Sequence, residues 1–264
     1  MSIRPGFKAA LFACAVFGLS ACGGSEPVDP AMFDAEVQRL ADSGDMYGEI
    51  FMTLKERRPA LYSDFRKIAQ QEFSRGYSAR DANRIAGLRM REKFVNEILE
   101  LSKVASDEHV KEMIGVMIAT YEYLGEEDAD DCARNIQGAE LEKVTEFPRE
   151  LRQRETQLII DLLNAPQTAA NRRAASRNEV TNWMVNLSTL EPSVKRMLVL
   201  IEKEERKGAE NKELCDGMIT TYKRLSYKKG ADRGTLFRGL ALMALQQRLL
   251  LRNTAEPQDE DENA

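Results

Sequence analysis

Apolar residues recur every three or four positions along almost the whole chain between Phe33 and Leu251. This spacing is typical of one buried face of an α-helix, and runs of Val, Ile and Thr at every second position, which indicate strands, are missing. Only two prolines, Pro59 and Pro148, fall between residues 31 and 160, so little interrupts a helix there. The pattern predicts an all-α protein, specifically a multi-helix bundle.

Ten helices are predicted from this pattern. Ser78 followed by Asp81 is typical of a capped helix start and predicts the beginning of the longest one. The last helix is apolar on more than one face but contains Gln246, Gln247 and Arg248, which favours a buried central helix over a membrane span. The predicted helices cover residues 33–40, 50–58, 61–76, 78–102, 107–124, 151–163, 167–188, 194–201, 214–225 and 236–251.

One segment of the chain is repeated in altered form. The sequence KEMIGVMIATYEYL at residues 111–124 and the sequence KELCDGMITTYKRL at residues 212–225 share seven of fourteen residues, 101 positions apart. A duplicated helical unit, with copies at about residues 45–140 and 145–252, would explain the similarity. Amphipathic helices also resemble one another by chance, and both explanations stay open.

The first 21 residues have the layout of an export signal. Arg4 and Lys8 give a positive start without any acidic residue, and an apolar run of eleven residues, 9–19, follows. Such a run is too short to span about 30 Å of hydrocarbon, which takes about 20 residues. The segment is therefore predicted to be removed as a signal peptide.

The end of this signal resembles the lipobox of bacterial lipoproteins, through Leu19, Ser20, Ala21 and Cys22. The resemblance implies a lipoprotein precursor whose residues 1–21 are removed and whose Cys22 sulfur carries lipid, with membrane lipid as its first partner. Gly23, which is not acidic, resembles the residue that follows the cysteine in lipoproteins sent to the outer membrane. The resemblance covers only the signal, and an ordinary secretory signal is the alternative.

The rest of the chain divides into a tether, a body and a tail. Residues 22–30 form a short polar lipidated tether, residues 31–252 the helical body, and residues 253–264 an acidic tail predicted to be disordered. Cleavage before Cys22 leaves 243 residues with 36 basic and 43 acidic side chains, a net charge of −7. This negative balance argues against binding of nucleic acid, which requires a basic surface.

Two of the four cysteines remain in the predicted body. Cys14 leaves with the signal and Cys22 is lipidated, so Cys132 and Cys215 are left. In an oxidising compartment the two are predicted to form a disulfide, the alternative being two buried free thiols. No metal site is predicted, because neither cysteine has a CxxC partner and His109 is the only histidine.

The sequence contains no nucleophile elbow, zinc-protease motif, P-loop or dinucleotide-binding glycine turn. No catalytic residue and no cofactor are therefore predicted, and His109 is expected to be an exposed surface histidine. Three further groups suit either a binding role or an ordinary structural one. The tyrosines and methionines at 113, 117, 121, 123, 218 and 222 suit either a packed core or a ligand pocket. The arginines at 149, 152, 154, 172, 173 and 177 suit either a solvated helix face or contact with an acidic partner. Trp183 suits either a core anchor or an interface residue.

These observations favour a non-catalytic, membrane-anchored protein of the bacterial cell envelope, at the outer membrane facing the periplasm, whose helices bind a protein partner. A periplasmic carrier of a small apolar ligand and a hydrolase with an unrecognised carboxylate site are the alternatives. A carrier requires an interior cavity of roughly 300 Å³ or more. A hydrolase requires at least two acids with strongly displaced pKa values in one cleft. A partner-binding protein should show neither of these features, but an exposed apolar patch larger than a few hundred Å².

Overall fold

The computed structural model describes residues 30–75, 77, 79–137, 147–166, 172–203, 205–206 and 208–255. Within these ranges the prediction of an all-α multi-helix bundle is confirmed. The signal, Cys22 and the tether up to residue 29 lie outside the described residues, as do Ser78 and residues 256–264. The helices are α1 Pro30–Asp42, α2 Met46–Arg57, α3 Pro59–Ser74, α4 Ala79–Ser102, α5 Asp107–Glu127, α6 Ala129–Gln137, α7 Arg149–Leu163, α8 Arg177–Leu190, α9 Pro192–Leu200, α10 Ala209–Ser226 and α11 Gly230–Ala255.

Helices α5 and α10 occupy the centre of the bundle and pack against each other. Helix α5 also contacts α6, α7 and α11, and α10 also contacts α6, α9 and α11. On one side, α7 connects this pair to α2 and α4, and α1 and α3 pack beyond them. On the other side, α9 covers α10, and α8 packs on α9 and α11. One continuous hydrophobic core runs through the bundle, from Phe33 in α1 to Met243 in α11.

A glycine brings α9 and α10 close together. A Cβ atom added at Gly217 would lie 2.4 Å from the Met197 Cβ and 2.6 Å from the Ser193 carbonyl oxygen. Real side chains cannot approach so closely, so the two helices can pack at this distance only with glycine at position 217.

Local capping explains where several helices begin. Ser106 accepts a hydrogen bond from the His109 backbone N–H at the start of α5. At the start of α8, Ser176 and Glu179 form a reciprocal capping box, which satisfies two backbone donors that the first turn leaves free. Pro59 and Pro192 occupy the first positions of α3 and α9, where the missing N–H of proline costs nothing.

Helices α6, α8 and α11 differ from the sequence prediction. The Arg-rich helix predicted at residues 167–188 begins only at Arg177, because the capping box fixes its start. The preceding residues 172–176 lie across α11, where the Ala175 N–H donates to the Thr235 carbonyl oxygen at 2.8 Å. Helix α6 was not predicted at all; the Asp128 side chain accepts from the N–H groups of its first turn. Helix α11 extends beyond the predicted range at both ends.

The two similar segments contact each other at equivalent positions. Tyr121 and Tyr222, which are 101 residues apart and match in the alignment of the segments, stack with ring centroids 5.9 Å apart. The next matched pair, Glu122 and Lys223, forms a salt bridge of 2.6 Å. A Cβ atom added at Gly125, near the end of α5, would meet the side chains of Cys215 and Ile219, which precede Tyr222 in α10. Helices α5 and α10 therefore run in opposite directions past this contact. The surrounding helices pack differently in the two halves, and the duplication of residues 45–140 and 145–252 stays a prediction.

Across the described ranges, every helix falls short of the combined length and apolarity that a bilayer crossing needs.

Candidate functional site

A disulfide joins the centre of the bundle to α6. Cys132 in α6 and Cys215 in α10 are bonded, with their Cα atoms 6.0 Å apart and both side chains fully buried. The two sulfur atoms lie 3.8 Å and 3.5 Å from the Tyr121 carbonyl oxygen. The predicted pairing is confirmed, and each cysteine belongs to a different predicted unit. The bond closes a loop between two cysteines that are 83 residues apart in the sequence, so it restricts the conformations of a large part of the unfolded chain.

The tyrosines and methionines at the helix crossing are part of the core. Tyr121 and Tyr222 are buried, and their burial raises the pKa of both phenols well above the ordinary value. Met117 and Met218 are buried beside them at matched positions, and Tyr123 packs on Phe147. Of the two interpretations of these residues, the structure supports an ordinary packed core.

A small pocket lies between the start of α2 and the middle of α7. The space that the centre of a water molecule can occupy within it is about 20 Å³, enough for about one ordered water. Its polar groups are Arg152, Glu155 and Thr156 of α7, and the Nε atom of Arg152 is buried without a hydrogen-bond partner in the described structure. The remaining lining residues are Met46, Tyr47, Ile50 and Ile159.

Glu155 is the unusual titratable group of this pocket. Burial raises the pKa of its carboxyl to about 7, and the charge of Arg91 on α4 offsets only part of that effect. The carboxyl therefore changes its charge near neutral pH. Residue type gives no sign of this shift, because which of the 43 acids has a raised pKa is decided by the packing of α2 and α4 around α7.

Three of the six arginines in the arginine-rich stretch lie within 4 Å of an acid. Arg154 forms a salt bridge of 2.8 Å with Glu112, and Arg173 pairs with Glu179 of the capping box. Arg172 lies 3.9 Å from Asp107. These pairs lower the net charge of the stretch, which favours a solvated structural face over a surface for an acidic partner.

Asp107 and Arg238 form a buried ion pair at the start of α5. The Arg238 side chain is 2% exposed, and its Nη2 donates to Asp107 Oδ1 at 3.0 Å and to the Ala105 carbonyl oxygen at 2.7 Å. His109 lies two residues further on and is half-buried rather than exposed as expected. No group of three or more His, Cys, Asp or Glu side chains within the described ranges is arranged to hold a metal ion.

Beyond the first turn, which contains Arg177 and Glu179, the outer face of α8 is exposed and carries no charge. Residues 180–190, VTNWMVNLSTL, form the longest run without a charged residue after Glu26, in a chain of which 31% is charged. Val185 is 44% exposed and Leu190 is 75% exposed. Asn182, Asn186 and Thr189 are exposed between them, at the spacing of one helix face. Trp183 is half-buried and packs against the core, which supports the core-anchor interpretation.

Uncharged, partly apolar surface of this kind is typical of the centre of a protein–protein interface. Interface centres are depleted of charged residues because a charge buried without a partner is costly. Among the described residues, this face combines the absence of charge with large exposed aliphatic side chains, and it is the candidate functional site. The run is visible in the sequence, but only the structure shows that its polar side faces solvent.

No protein-family model, no curated protein and no solved structure matches this chain.

Proposed function

We propose that this chain is a bacterial lipoprotein, anchored in the cell envelope through Cys22, that binds a protein partner and performs no catalysis. The anchor is inferred from the lipobox-like sequence at residues 19–22. The disulfide between Cys132 and Cys215 supports an extracytoplasmic location, because such bonds persist mainly in oxidising compartments. The outer membrane, facing the periplasm, is the proposed site, on the strength of Gly23.

The uncharged outer face of α8 carries the proposal of a protein partner. A surface helix in a protein of this composition ordinarily has charged residues on its solvent side, which maintain solubility. Residues 180–190 have none, and Leu190 exposes most of its side chain. Burial of this face against another protein would remove apolar surface from water without the desolvation of any charge.

The position of this face in the bundle suits a partner located away from the lipid anchor. The tether between Cys22 and Pro30 can extend roughly 30 Å at most, and it leads into α1, which packs on α2 and α3. Helix α8 packs on α9 and α11, on the other side of the central pair α5 and α10. The α8 face therefore belongs to a different part of the bundle from the helix that the tether enters.

The pocket between α2 and α7 supports neither alternative function. The space for water in the pocket between α2 and α7 is about 20 Å³, far below the roughly 300 Å³ that a small-molecule carrier requires. The same pocket contains one carboxyl group with a displaced pKa, that of Glu155, whereas glycoside hydrolysis takes two.

The anchor is tested by acyl labelling of matched cysteine variants. Cells that produce the chain are labelled with an alkyne-bearing palmitate analogue. Cys22→Ala should abolish labelling and leave uncleaved precursor, because the sulfur that accepts lipid is gone. Cys14→Ala, which changes a cysteine inside the removed segment, should label and mature normally. Normal labelling of the Cys22 variant would refute the anchor.

The partner is tested by site-specific photocrosslinking in the intact envelope. A benzophenone amino acid at Asn186, on the uncharged face, should give a discrete protein adduct. The same group at Glu126, an exposed position near the end of α5, is the control and should give none. Equal adducts from both positions, or adducts from neither, would contradict the assignment of the α8 face as the binding surface.

A further inference from the structure

We infer that the protein that covers the α8 face is a second copy of this chain, in a two-fold symmetric dimer. The inference rests on the proposed function in one respect, since both assign protein binding to the face formed by Asn182, Val185, Asn186, Thr189 and Leu190. It adds the identity of the partner and the symmetry of the contact.

Charge is the first argument for a second copy. The mature chain carries a net charge of −7, so two copies repel each other over most possible contacts. Residues 180–190 are free of charge, and a contact restricted to them avoids any pair of like charges. An uncharged face is therefore complementary to itself, whereas a basic or acidic partner would find no opposite charge there.

Geometry is the second argument. The exposed positions 182, 185, 186, 189 and 190 follow the three- and four-residue spacing of a helix seam. Two-fold symmetry brings the same patch of both copies together, so α8 pairs antiparallel with itself. If the axis passes between Val185 and Asn186, Asn182 of each copy lies beside Thr189 of the other. Amide and hydroxyl groups can then hydrogen-bond across the contact while the aliphatic side chains pack beside them.

The size of the face sets the expected strength. Helix α8 has 14 residues and is about 21 Å long at about 1.5 Å per residue. It offers on the order of 300–400 Å² per copy, about half of the roughly 800 Å² per partner in a stable complex. The dimer is therefore weak in dilute solution. Anchoring of copies in one membrane raises their effective concentration and favours the contact.

The test uses cysteine crosslinking of the full-length chain in producing cells. Asn186→Cys places a thiol next to the axis, so mild oxidation should give a band of twice the monomer mass on a non-reducing gel. Glu126→Cys is the exposed control and should stay monomeric. Sedimentation of the purified chain in detergent of matched density should show dimer that increases with concentration, at least several-fold between about 5 and 200 µM.

Two further substitutions separate this contact from other surfaces. Leu190→Lys should abolish both the Asn186→Cys crosslink and the dimer, because it puts a charge from each copy at the contact. Tyr227→Lys, at a residue of comparable exposure beyond the end of α10, should leave both unchanged, and circular dichroism confirms that each variant folds.

Three results would overturn the inference: monomer at every concentration without crosslinking, a dimer that persists with Leu190→Lys, or loss of dimer with Tyr227→Lys. Failure of this inference is distinguishable from failure of the proposed function. A photocrosslinked adduct at Asn186 that has a mass other than twice the monomer would retain partner binding and exclude the second copy. Loss of the anchor would appear only in the acyl-labelling experiment.

Discussion

Glu155→Gln should make this protein more stable at pH 8 than the wild type and leave its stability at pH 4.5 nearly unchanged. In the folded chain, burial in the pocket between α2 and α7 raises the pKa of the Glu155 carboxyl to about 7, from 4.5 for the unperturbed group. Between these two values the folded state holds a proton that the unfolded state has released. By linkage, this group makes the free energy of unfolding fall as pH rises through that window and stay level above it.

The size of the effect follows from the shift. Each pKa unit corresponds to about 1.4 kcal/mol, so the displacement from 4.5 to about 7 gives an upper bound of about 3 kcal/mol at pH 8. The pocket has room for about one water molecule, which screens part of this cost, and we expect about 2 kcal/mol. Glutamine has nearly the shape of glutamic acid and cannot ionise, so the variant should lack this dependence on pH.

Urea unfolding followed by circular dichroism at 222 nm measures the effect, at half-unit steps from pH 4.5 to 8.5 under non-reducing conditions. The difference in unfolding free energy between variant and wild type should grow from near zero to about 2 kcal/mol and level off above pH 7. Glu150→Gln, at an exposed position in the first turn of α7, is the control for the loss of one negative charge. A constant difference at all pH values would refute the argument. So would a variant less stable than wild type at pH 8, since that would mean that the charged carboxylate is stabilised by Arg91.

Two further predictions concern packing and the covalent crosslink. Gly217→Ala should lower stability by about 1–3 kcal/mol, because the new Cβ would lie 2.4 Å from the Met197 Cβ. At Gly115 an added Cβ meets the flexible end of the Arg154 guanidinium at 3.1 Å and the Glu112 carboxylate at 4.0 Å, so Gly115→Ala should instead raise stability by up to about 1 kcal/mol. Urea unfolding distinguishes the two variants, and equal effects would contradict the close helix contact. Replacement of Cys132 and Cys215 by serine should cost about 4 kcal/mol and lower the melting temperature by roughly 10 °C in calorimetry. An unchanged melting temperature would show that the bond does not limit the unfolded chain as argued.

Sequence periodicity was sufficient for the fold class and for most helices. The apolar stripe of α5, including Val110, Ile114, Met117 and Tyr121, is buried as predicted, because a regular helix places residues three and four apart on one side whatever packs there. A local capping signal, and not periodicity, sets the start of α8. The arginine-rich polar stretch predicted as a helix from residue 167 contains Ser176 and Glu179, whose capping box starts α8 at Arg177.

Neighbouring elements decided the properties that sequence alone left open. The raised pKa of Glu155 depends on α2 and α4 packing around α7, and no property of residues 149–163 alone distinguishes it from other acids. The pairing of Arg154 with Glu112 joins residues 42 positions apart, so the stretch that looked basic in the sequence is partly neutralised in the fold.

Residue type and local spacing alone are sufficient for the helical class and for the absence of charge between residues 180 and 190. Only the packed bundle shows which side of α8 faces solvent, that the pKa of the Glu155 carboxyl is raised, and that Tyr121 meets Tyr222 where α5 crosses α10. These features arise from contacts between segments about a hundred residues apart. Such contacts depend on how whole helix faces fit together, and a periodic pattern defines a face without specifying the helix that covers it.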